Sequence, residues 1–358
     1  MSNNNVKKAI AALFDEMATG LETGSFGKQA TIVVTGLGSE HGEDNVLAGC
    51  VEAVKQGMKV LYLGTKEAPG VETIKVNSDD EQFATMERLL DSGEADGAVA
   101  MHYPFPIGVA TVGRVVAPST GRKLYLATTT GTSATDRVDA MVKNAVAGII
   151  AAKASGVANP TVGILNVDGA RQAELVLKQM QENGYPITFS ESGRADGGCV
   201  MRGNDVLQGT PDVMVTDTLT GNVLMKMMSA QASGGSIETS GDGYGPGLGT
   251  GYKRLVMIIS RASGAPVIAG AVRYAAELVK GKVHAVAEAE YAAADKAGMK
   301  KLLEGRKKAA PAQEASAPVV APQKEVVTHE LAGIEVMDLE DAVQALWKKG
   351  IYAESGMG

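Results

Sequence analysis

The sequence predicts an α/β fold, in which helices cover both faces of a mainly parallel sheet to form an α/β/α sandwich. Short apolar runs alternate with longer segments whose apolar residues recur at helical spacing, which is the pattern of βαβ units. The 358 residues are 45% hydrophobic and only 4% aromatic, a composition typical of a parallel sheet buried under helices. Glycine-rich turns follow several of the apolar runs, and ligands of such sheets bind at the carboxyl ends of the strands.

Each element follows from its periodicity. Apolar runs bounded by turn residues predict strands, and apolar residues three or four positions apart predict helices. The predicted strands are 31–35, 60–63, 98–101, 123–127, 162–166, 187–189, 213–216 and 255–259. The predicted helices are 6–17, 45–56, one that starts at the capping box of 78–81, and then 134–154, 170–182 and 267–279.

The composition changes after residue 303. Residues 1–303 carry the alternating strand and helix pattern, and we expect them to form one α/β domain. Residues 304–330 are rich in Pro and Ala and have no periodicity, which predicts a linker. Residues 331–358 contain one short amphipathic segment and a Gly-containing end, and we interpret them as a C-terminal helical arm.

Charge and cysteine content narrow the class of protein. The formal net charge of −7 argues against nucleic acid or an anionic membrane as the main partner, so an anionic substrate would need a local positive site. Two cysteines in so long a chain exclude a disulfide framework and fit a reducing cytoplasm. No apolar run reaches the ~18 residues that a membrane span needs, and the N-terminus lacks the apolar stretch of a signal peptide. We therefore expect a cytoplasmic protein.

A polar turn follows the predicted strand 213–216, and we expect its Gly221 and Asn222 to open an apolar helix. The free N–H groups and the positive dipole end of such a helix converge on one spot, which suits a phosphate or a developing oxyanion. We therefore predict that Gly221, Asn222 and Lys226 bind phosphate or substrate. Many α/β proteins begin a helix in this way, and Lys226 lies far enough along it to belong instead to a solvated face.

A second glycine-rich turn, GLGSEHG at 36–42, follows the first predicted strand. Gly38, His41 and Gly42 of this turn are candidate phosphate- or substrate-binding residues, although the turn lacks the glycine spacing and the Lys-Ser/Thr pair of a P-loop. His41 and His102 each follow a predicted strand, where an imidazole can act as an acid or base. We take His102 as a candidate catalytic residue. The alternative for both histidines is an ordinary polar turn residue.

The two cysteines differ in context. Cys50 falls on the apolar face of helix 45–56, and we interpret it as a core residue. Cys199 lies in a Gly-containing loop with Arg194 and Arg202 close in sequence, and these cations could lower the pKa of its thiol. Cys199 is therefore a candidate catalytic nucleophile, with an inert loop thiol as the alternative.

A series of motifs occurs in a fixed order: VGILN at 162–166, RAD at 194–196, GNDVLQG at 203–209, PDVMVTD at 211–217, GNV at 221–223 and GAPVIAG at 264–270. Over roughly 31–282, this series resembles the phosphate acyltransferases of bacterial fatty acid and phospholipid synthesis. The resemblance implies the fold of the phosphate acyltransferases and phosphotransacetylases, of the isocitrate dehydrogenase-like type, and formation of an acyl phosphate from a carrier-protein thioester. The acidic residues of that family's first loop are Gly36 and Ser39 here.

Three further segments, HYPFP at 102–106, GYGPG at 243–247 and GIYAESGMG at 350–358, resemble the alpha subunit of protein C of glycine, sarcosine and betaine reductase. That resemblance implies a subunit that takes an acetyl group as a thioester and passes it to inorganic phosphate, giving acetyl phosphate without a metal or redox cofactor. It also implies partners, namely the protein C beta subunit and the selenoprotein that carries the acyl precursor, in a homo- or hetero-oligomer.

The same resemblance implies an acetyl-carrying thiol near the C-terminal end, whereas no cysteine follows Cys199 in this sequence. We expect that thiol to lie beyond Gly358; the alternative is that this protein carries none there. Two other functions stay open. One is a phosphate acyltransferase that forms a fatty-acyl phosphate, and the other is a non-catalytic scaffold subunit, which the altered acidic positions would fit.

Overall fold

The computed structural model describes residues 14, 17–18, 29–194, 197–309, 321–329 and 339–354. The helix predicted over 6–17 therefore lies almost wholly outside the described residues. The chain divides into two compact units, Met1–Leu303 and Glu304–Gly358. Among the helices of these described ranges, none combines the length and the apolar composition that crossing a membrane requires.

Strands and helices alternate along the first unit. The strands are β1 Thr31–Thr35, β2 Lys59–Gly64, β3 Glu72–Lys75, β4 Gly97–Ala100, β5 Val109–Val116, β6 Lys123–Thr132, β7 Thr161–Leu165, β8 Thr188–Phe189, β9 Val200–Met201, β10 Val213–Val215, β11 Gly245–Leu248 and β12 Val256–Ile258. The helices are α1 Gly42–Lys55, α2 Asp79–Ser92, α3 Arg137–Ala154, α4 Ala170–Glu182, α5 Gly203–Gln208, α6 Thr218–Ala230, α7 Ala265–Lys280, α8 Val283–Lys296 and α9 Met299–Ala309.

The described strands form one sheet in the order β3-β2-β1-β4-β12-β11-β5-β6-β10-β7-β8, with β9 paired to β7. Neighbours are parallel except for β12 with β11, β11 with β5, and β5 with β6. Because three reversals separate β12 from β6, the strands on either side of this central region run in opposite directions. The predicted fold class, α/β with a mainly parallel sheet, is confirmed.

Helices cover both faces of the sheet. In β1, Ile32 and Val34 belong to one hydrophobic cluster and Val33 to the other, as expected when successive side chains of a strand point to opposite faces. Residues of α1, α3, α4, α7 and α8 join the first cluster. Residues of α2, α5 and α6 join the second. The sheet is therefore buried on both faces, and the predicted sandwich is confirmed.

The second unit is described in part. Helix α10 comprises Leu339–Lys348, and Trp347 Nε1 donates to the carbonyl of Ala353 at 2.9 Å. Helix α9 extends past residue 303, so the first part of the predicted linker is helical, in keeping with its helix-favouring Lys, Arg and Glu residues. Residues 310–320, 330–338 and 355–358 lie outside the described residues. The interpretation of 304–330 as a linker and 331–358 as an arm stays a prediction.

Candidate functional site

A cavity of about 460 Å³ lies where the ends of β1, β4, β6 and β12 meet the first turns of α6. The strands bring loops from both parts of the sheet to this place. Several polar side chains line it, namely those of Glu40, His102, Tyr103, Thr130, Thr132, Asn222, Lys226, Tyr244, Ser260 and Arg261. A pocket at the carboxyl ends of strands is where α/β proteins bind ligands.

Helix α6 begins earlier than the sequence suggested. Its N-cap is Asp217, whose carboxylate accepts from the backbone N–H of Thr220 at 3.0 Å. The N–H of Gly221 donates to the carbonyl of Asp217 at 3.0 Å, as in the interior of a helix. The expectation that Gly221 and Asn222 open the helix is therefore wrong, because Asp is a preferred cap and occupies that end itself. Their role in binding phosphate stays a prediction.

Gly221 and Asn222 instead fix α6 against β6. A Cβ added at the buried Gly221 would lie 1.8 Å from the carbonyl oxygen of Thr128, so only glycine permits this approach. The Asn222 side chain donates to the carbonyl of Thr129 at 3.0 Å. Asn222 also lines the cavity, and this anchored amide keeps a second N–H that can serve a ligand.

Lys226 lies one turn beyond Asn222 and reaches the same cavity. Its Nζ atom is 2.7 Å from Ser260 Oγ and 2.7 Å from Glu238 Oε1. Glu238 is wholly buried and also accepts from the hydroxyl of Tyr244 at 2.9 Å. Burial, reinforced by the charge of Glu238, raises the pKa of the Tyr244 phenol. The phenol therefore stays a hydrogen-bond donor.

Arg261 follows Ser260 in the turn after β12 and was missed as a site residue. Its side chain is exposed and lines the cavity. Within the part of the chain that the structure describes, no carboxylate lies within ion-pair distance of its guanidinium. Its carbonyl accepts from the N–H of Glu40 at 2.9 Å, which joins the turn after β12 to the turn after β1. The Ser-Arg pair directly after a predicted strand is the signal that could have found it.

His102 lies in the cavity wall as an exposed side chain. Its ring packs edge-on against Phe83 with 5.1 Å between ring centroids. Tyr103 and Phe105 of the same loop pack in the same manner at 5.2 Å, and Arg254 donates to the Tyr103 hydroxyl at 3.1 Å. These contacts hold the loop that presents the imidazole. The catalytic role of His102 stays a prediction.

The other residues predicted from the first glycine-rich turn do not line the cavity. Gly38 and Gly42 have φ values of +91° and +77°, which L residues with side chains rarely adopt. His41 is exposed and is the N-cap residue of α1. The turn contributes Glu40 to the cavity instead. The glycines are thus explained by the shape of the turn, and phosphate binding by these three residues stays a prediction.

Both cysteines are buried away from the cavity. The Cys199 thiol donates to Glu174 Oε1 at 3.3 Å, and burial together with Glu174 raises its pKa to about 12. Burial raises the pKa of Cys50 to about 12 as well. The expectation that nearby arginines lower the pKa of Cys199 is wrong, because a carboxylate and not a cation is its hydrogen-bond partner. A catalytic role for Cys199 is untested, but the geometry gives it no support.

A cluster of threonine hydroxyls supports the end of β6 in the cavity wall. Thr111 Oγ1 lies 2.7 Å from Thr129 Oγ1 and 2.9 Å from Thr130 Oγ1. Thr129 Oγ1 also donates to the carbonyl of Tyr244 at 2.6 Å. These bonds tie β5, β6 and the start of β11 together, so that the cavity keeps its shape between the two parts of the sheet. No periodic pattern in the sequence predicts this cluster.

The fold and the site define an α/β protein with a cation-bearing cavity at the ends of its strands. A family model described as fatty acid synthesis protein matches residues 30–358. The glycine/sarcosine/betaine reductase complex component C subunit alpha of Peptoclostridium acidaminophilum is 53% identical over 357 residues, which are 99% of this chain and 93% of that protein. A phosphate acyltransferase of Thermus thermophilus is 26% identical over 237 residues, 56% of this chain and 71% of that protein.

The chain therefore belongs to the fatty acid synthesis protein family and, within it, to the family of component C alpha subunits. Both resemblances seen in the sequence are confirmed. Among solved structures, a branched-chain phosphotransacylase from Enterococcus faecalis aligns with a TM-score of 0.49 at 16% identity, covering 70% of this chain and 99% of that one.

Proposed function

We propose that this protein is an acyltransferase that passes an acetyl group from a thioester to inorganic phosphate, giving acetyl phosphate in a glycine reductase system. One observation carries the proposal. Lys226 and Arg261 reach the same cavity as His102, which places cations for phosphate beside a group that can move a proton. The names of the relatives, a reductase complex component and a phosphate acyltransferase, support the same chemistry.

Phosphate binding in this cavity relies on local charge, because the chain as a whole carries a net charge of −7. Arg261 offers a planar set of N–H donors that suits phosphate. Lys226 adds a second charged donor and Asn222 a neutral one. A hydrogen bond to a charged group contributes about 1.5–3 kcal/mol, so each of these donors can add to the affinity for phosphate.

The transfer is a balanced exchange. A phosphate oxygen forms a bond to the thioester carbonyl carbon, the carbon–sulfur bond breaks, and the proton of hydrogen phosphate ends on the departing thiolate. His102 can take that proton from phosphate and deliver it to sulfur. The negative charge that develops on the carbonyl oxygen is stabilised by donors fixed in advance, for which Asn222 and Lys226 are candidates.

The size of the cavity favours a short acyl group. Its volume of about 460 Å³ has to hold phosphate together with the acyl group and the thioester sulfur. A neighbouring pocket of about 270 Å³ shares Pro106 and Ile107 with it and is partly apolar. That pocket favours the alternative function, a fatty-acyl phosphate-forming enzyme, because a longer chain could extend into it.

The acyl donor is proposed to be a thioester on another protein, since neither internal thiol is suited to the task. The proposed partners are the beta subunit of component C and the selenoprotein that carries the acyl precursor. That the reaction proceeds without a metal or redox cofactor is also part of the proposal.

The test is acyl phosphate formation by the purified chain from phosphate and a small-molecule acetyl or octanoyl thioester, with the product trapped as a hydroxamate. We expect acetyl phosphate to form faster than octanoyl phosphate. Arg261→Ala should raise the KM for phosphate by about tenfold to a hundredfold, the value of one charged hydrogen bond. The matched control is Arg137→Ala, which removes an exposed arginine paired with Asp168.

Three results would count against this function. Preference for the octanoyl thioester would favour the fatty-acyl alternative. Absence of phosphate-dependent product from either donor would favour a scaffold subunit. An unchanged KM for phosphate in Arg261→Ala would show that phosphate binds at another site.

A further inference from the structure

Glu238 is a buried carboxylate directly behind the cavity, and the proposed reaction gives it no role of its own. Its side chain has no exposed surface, yet it lies 2.7 Å from the ammonium of Lys226, whose side chain is half-exposed. It also accepts from the hydroxyls of Tyr244 and Ser263, each at 2.9 Å. Burying a carboxylate is costly unless partners compensate it, and these three donors do so.

The backbone around Glu238 is held as firmly as its side chain. The N–H of Glu238 donates to the carbonyl of Ala262 at 3.0 Å, and its own carbonyl accepts from the N–H of Gly264 at 2.8 Å. The carboxylate is therefore fixed relative to the turn that carries Ser260 and Arg261. A lysine side chain is flexible, so the fixed partner decides where the ammonium of Lys226 lies.

An ammonium group has three N–H donors. Glu238 Oε1 and Ser260 Oγ lie within hydrogen-bond distance of Lys226 Nζ and accept two of its three N–H groups. A phosphate that enters the cavity consequently competes with Glu238 for Lys226. Interactions that are weak with bound substrate and strong in the transition state raise kcat, whereas equal binding of both does not.

We propose that Glu238 is a positioning residue, which holds Lys226 back from bound phosphate and aims its remaining N–H at the charge that develops during acyl transfer. This inference rests on the proposed function. It makes a prediction that a purely structural residue would not share: removing the charge of Glu238 should tighten phosphate binding while slowing turnover.

The experiment is Glu238→Gln, which keeps the shape of the side chain and can still bond to Tyr244 and Ser263. We expect the phosphate Kd, measured by calorimetry without acyl donor, to fall by about fivefold because Lys226 becomes free to pair with phosphate. We expect kcat to fall by about tenfold because the ammonium is no longer aimed. Glu94→Gln is the matched control, since Glu94 is an exposed glutamate paired with Arg88, and it should change neither quantity.

For a second variant, Tyr244→Phe, the proposal predicts the opposite change in the phosphate Kd. This variant also keeps the proposal testable if Glu238→Gln fails to fold. Tyr244→Phe removes one donor from Glu238 Oε1, which strengthens the hold of the carboxylate on Lys226. The phosphate Kd should then rise by about threefold. A Kd that rises or stays constant in a folded Glu238→Gln, or that falls or stays constant in Tyr244→Phe, overturns the proposal.

Calorimetry of phosphate binding distinguishes failure of this proposal from failure of the proposed function on which it rests. A parent chain that binds no phosphate contradicts the proposed function and with it the role of Glu238. A parent chain that binds phosphate while both variants behave like the parent contradicts the role of Glu238 alone.

Discussion

Cys50 and Cys199 illustrate how burial sets the chemistry of single residues. Both thiols have a pKa of about 12, against an ordinary value of 9.0. At neutral pH roughly one molecule in 10⁵ carries either thiolate. An acyl group is therefore not expected on these sulfurs, in agreement with a donor thiol carried elsewhere.

The raised pKa of Cys199 predicts a pH dependence of stability. The folded chain keeps the thiol proton between pH 9 and 12, whereas the unfolded chain releases it. The stabilisation is thus complete below pH 9 and is lost as the pH rises toward 12, by about 1.4 kcal/mol per pH unit for one group. Cys199→Ser should reduce the slope of the unfolding free energy against pH above pH 9 by this amount. Urea titrations at several pH values measure it, and identical slopes for variant and parent would contradict the pKa.

The sequence anticipates the residues of the site only in part. His102, Asn222 and Lys226 lie in the cavity as strand ends and helix spacing predict. Arg261 and Glu238 were not predicted, because a charged residue in a loop ordinarily belongs to the solvated surface. Their proposed roles depend on contacts between segments far apart in the chain, such as that of Lys226 with Glu238.

Helix α6 shows how one small residue can position an element. The absence of a side chain at Gly221 lets the helix lie against the backbone of β6, and this contact places Asn222 and Lys226 at the cavity. The strand before α6 and the apolar start of the helix were predictable from their periodicity. The N-cap residue Asp217 was less predictable, because Gly221, one turn later, resembles a helix start.

We predict that Gly221→Ala destabilises the fold by about 1–3 kcal/mol, because the added methyl group would overlap the carbonyl of Thr128 and force α6 outward. The matched control is Gly305→Ala in α9, where nothing lies within 4 Å of an added Cβ. That exchange should stabilise the chain by about 0.5–1 kcal/mol through helix propensity. Urea unfolding of the two variants provides the comparison. Equal effects of the two substitutions would show that α6 moves freely relative to β6.

At the scale of the whole molecule, periodicity identified most strands and helices, but it could not give the order of the strands. The central strands β5 and β11 were absent from the predicted elements, since Gly-Pro-Gly at 245–247 is typical of a turn. Their antiparallel pairing reverses the sheet and brings loops of its two parts to one cavity. Such strand pairings depend on long-range contacts, which no local sequence pattern predicts.

The composition of 309–322 predicts preferred cleavage by proteases. A Pro- and Ala-rich stretch without periodicity gives a protease better access than the packed elements that precede Gly305. Brief digestion with a protease of broad specificity, followed by mass spectrometry, should give fragments that end within this range. Preferential cleavage before Gly305, or survival of the whole chain under conditions that cut a denatured control, would contradict the interpretation as a linker.

The order of the strands also has a consequence for the synthesis of the protein. β4 pairs with β1 on one side and with β12 on the other, although the intervening residues 101–255 separate β12 from β4 in the chain. While the ribosome is still making the intervening residues, β4 presents an unpaired and apolar edge, the kind of surface through which nascent chains associate wrongly. The residues of β12 and the Ser260–Arg261 turn emerge together. The pairing of β12 with β4, which covers this edge, therefore also brings Arg261 to the cavity.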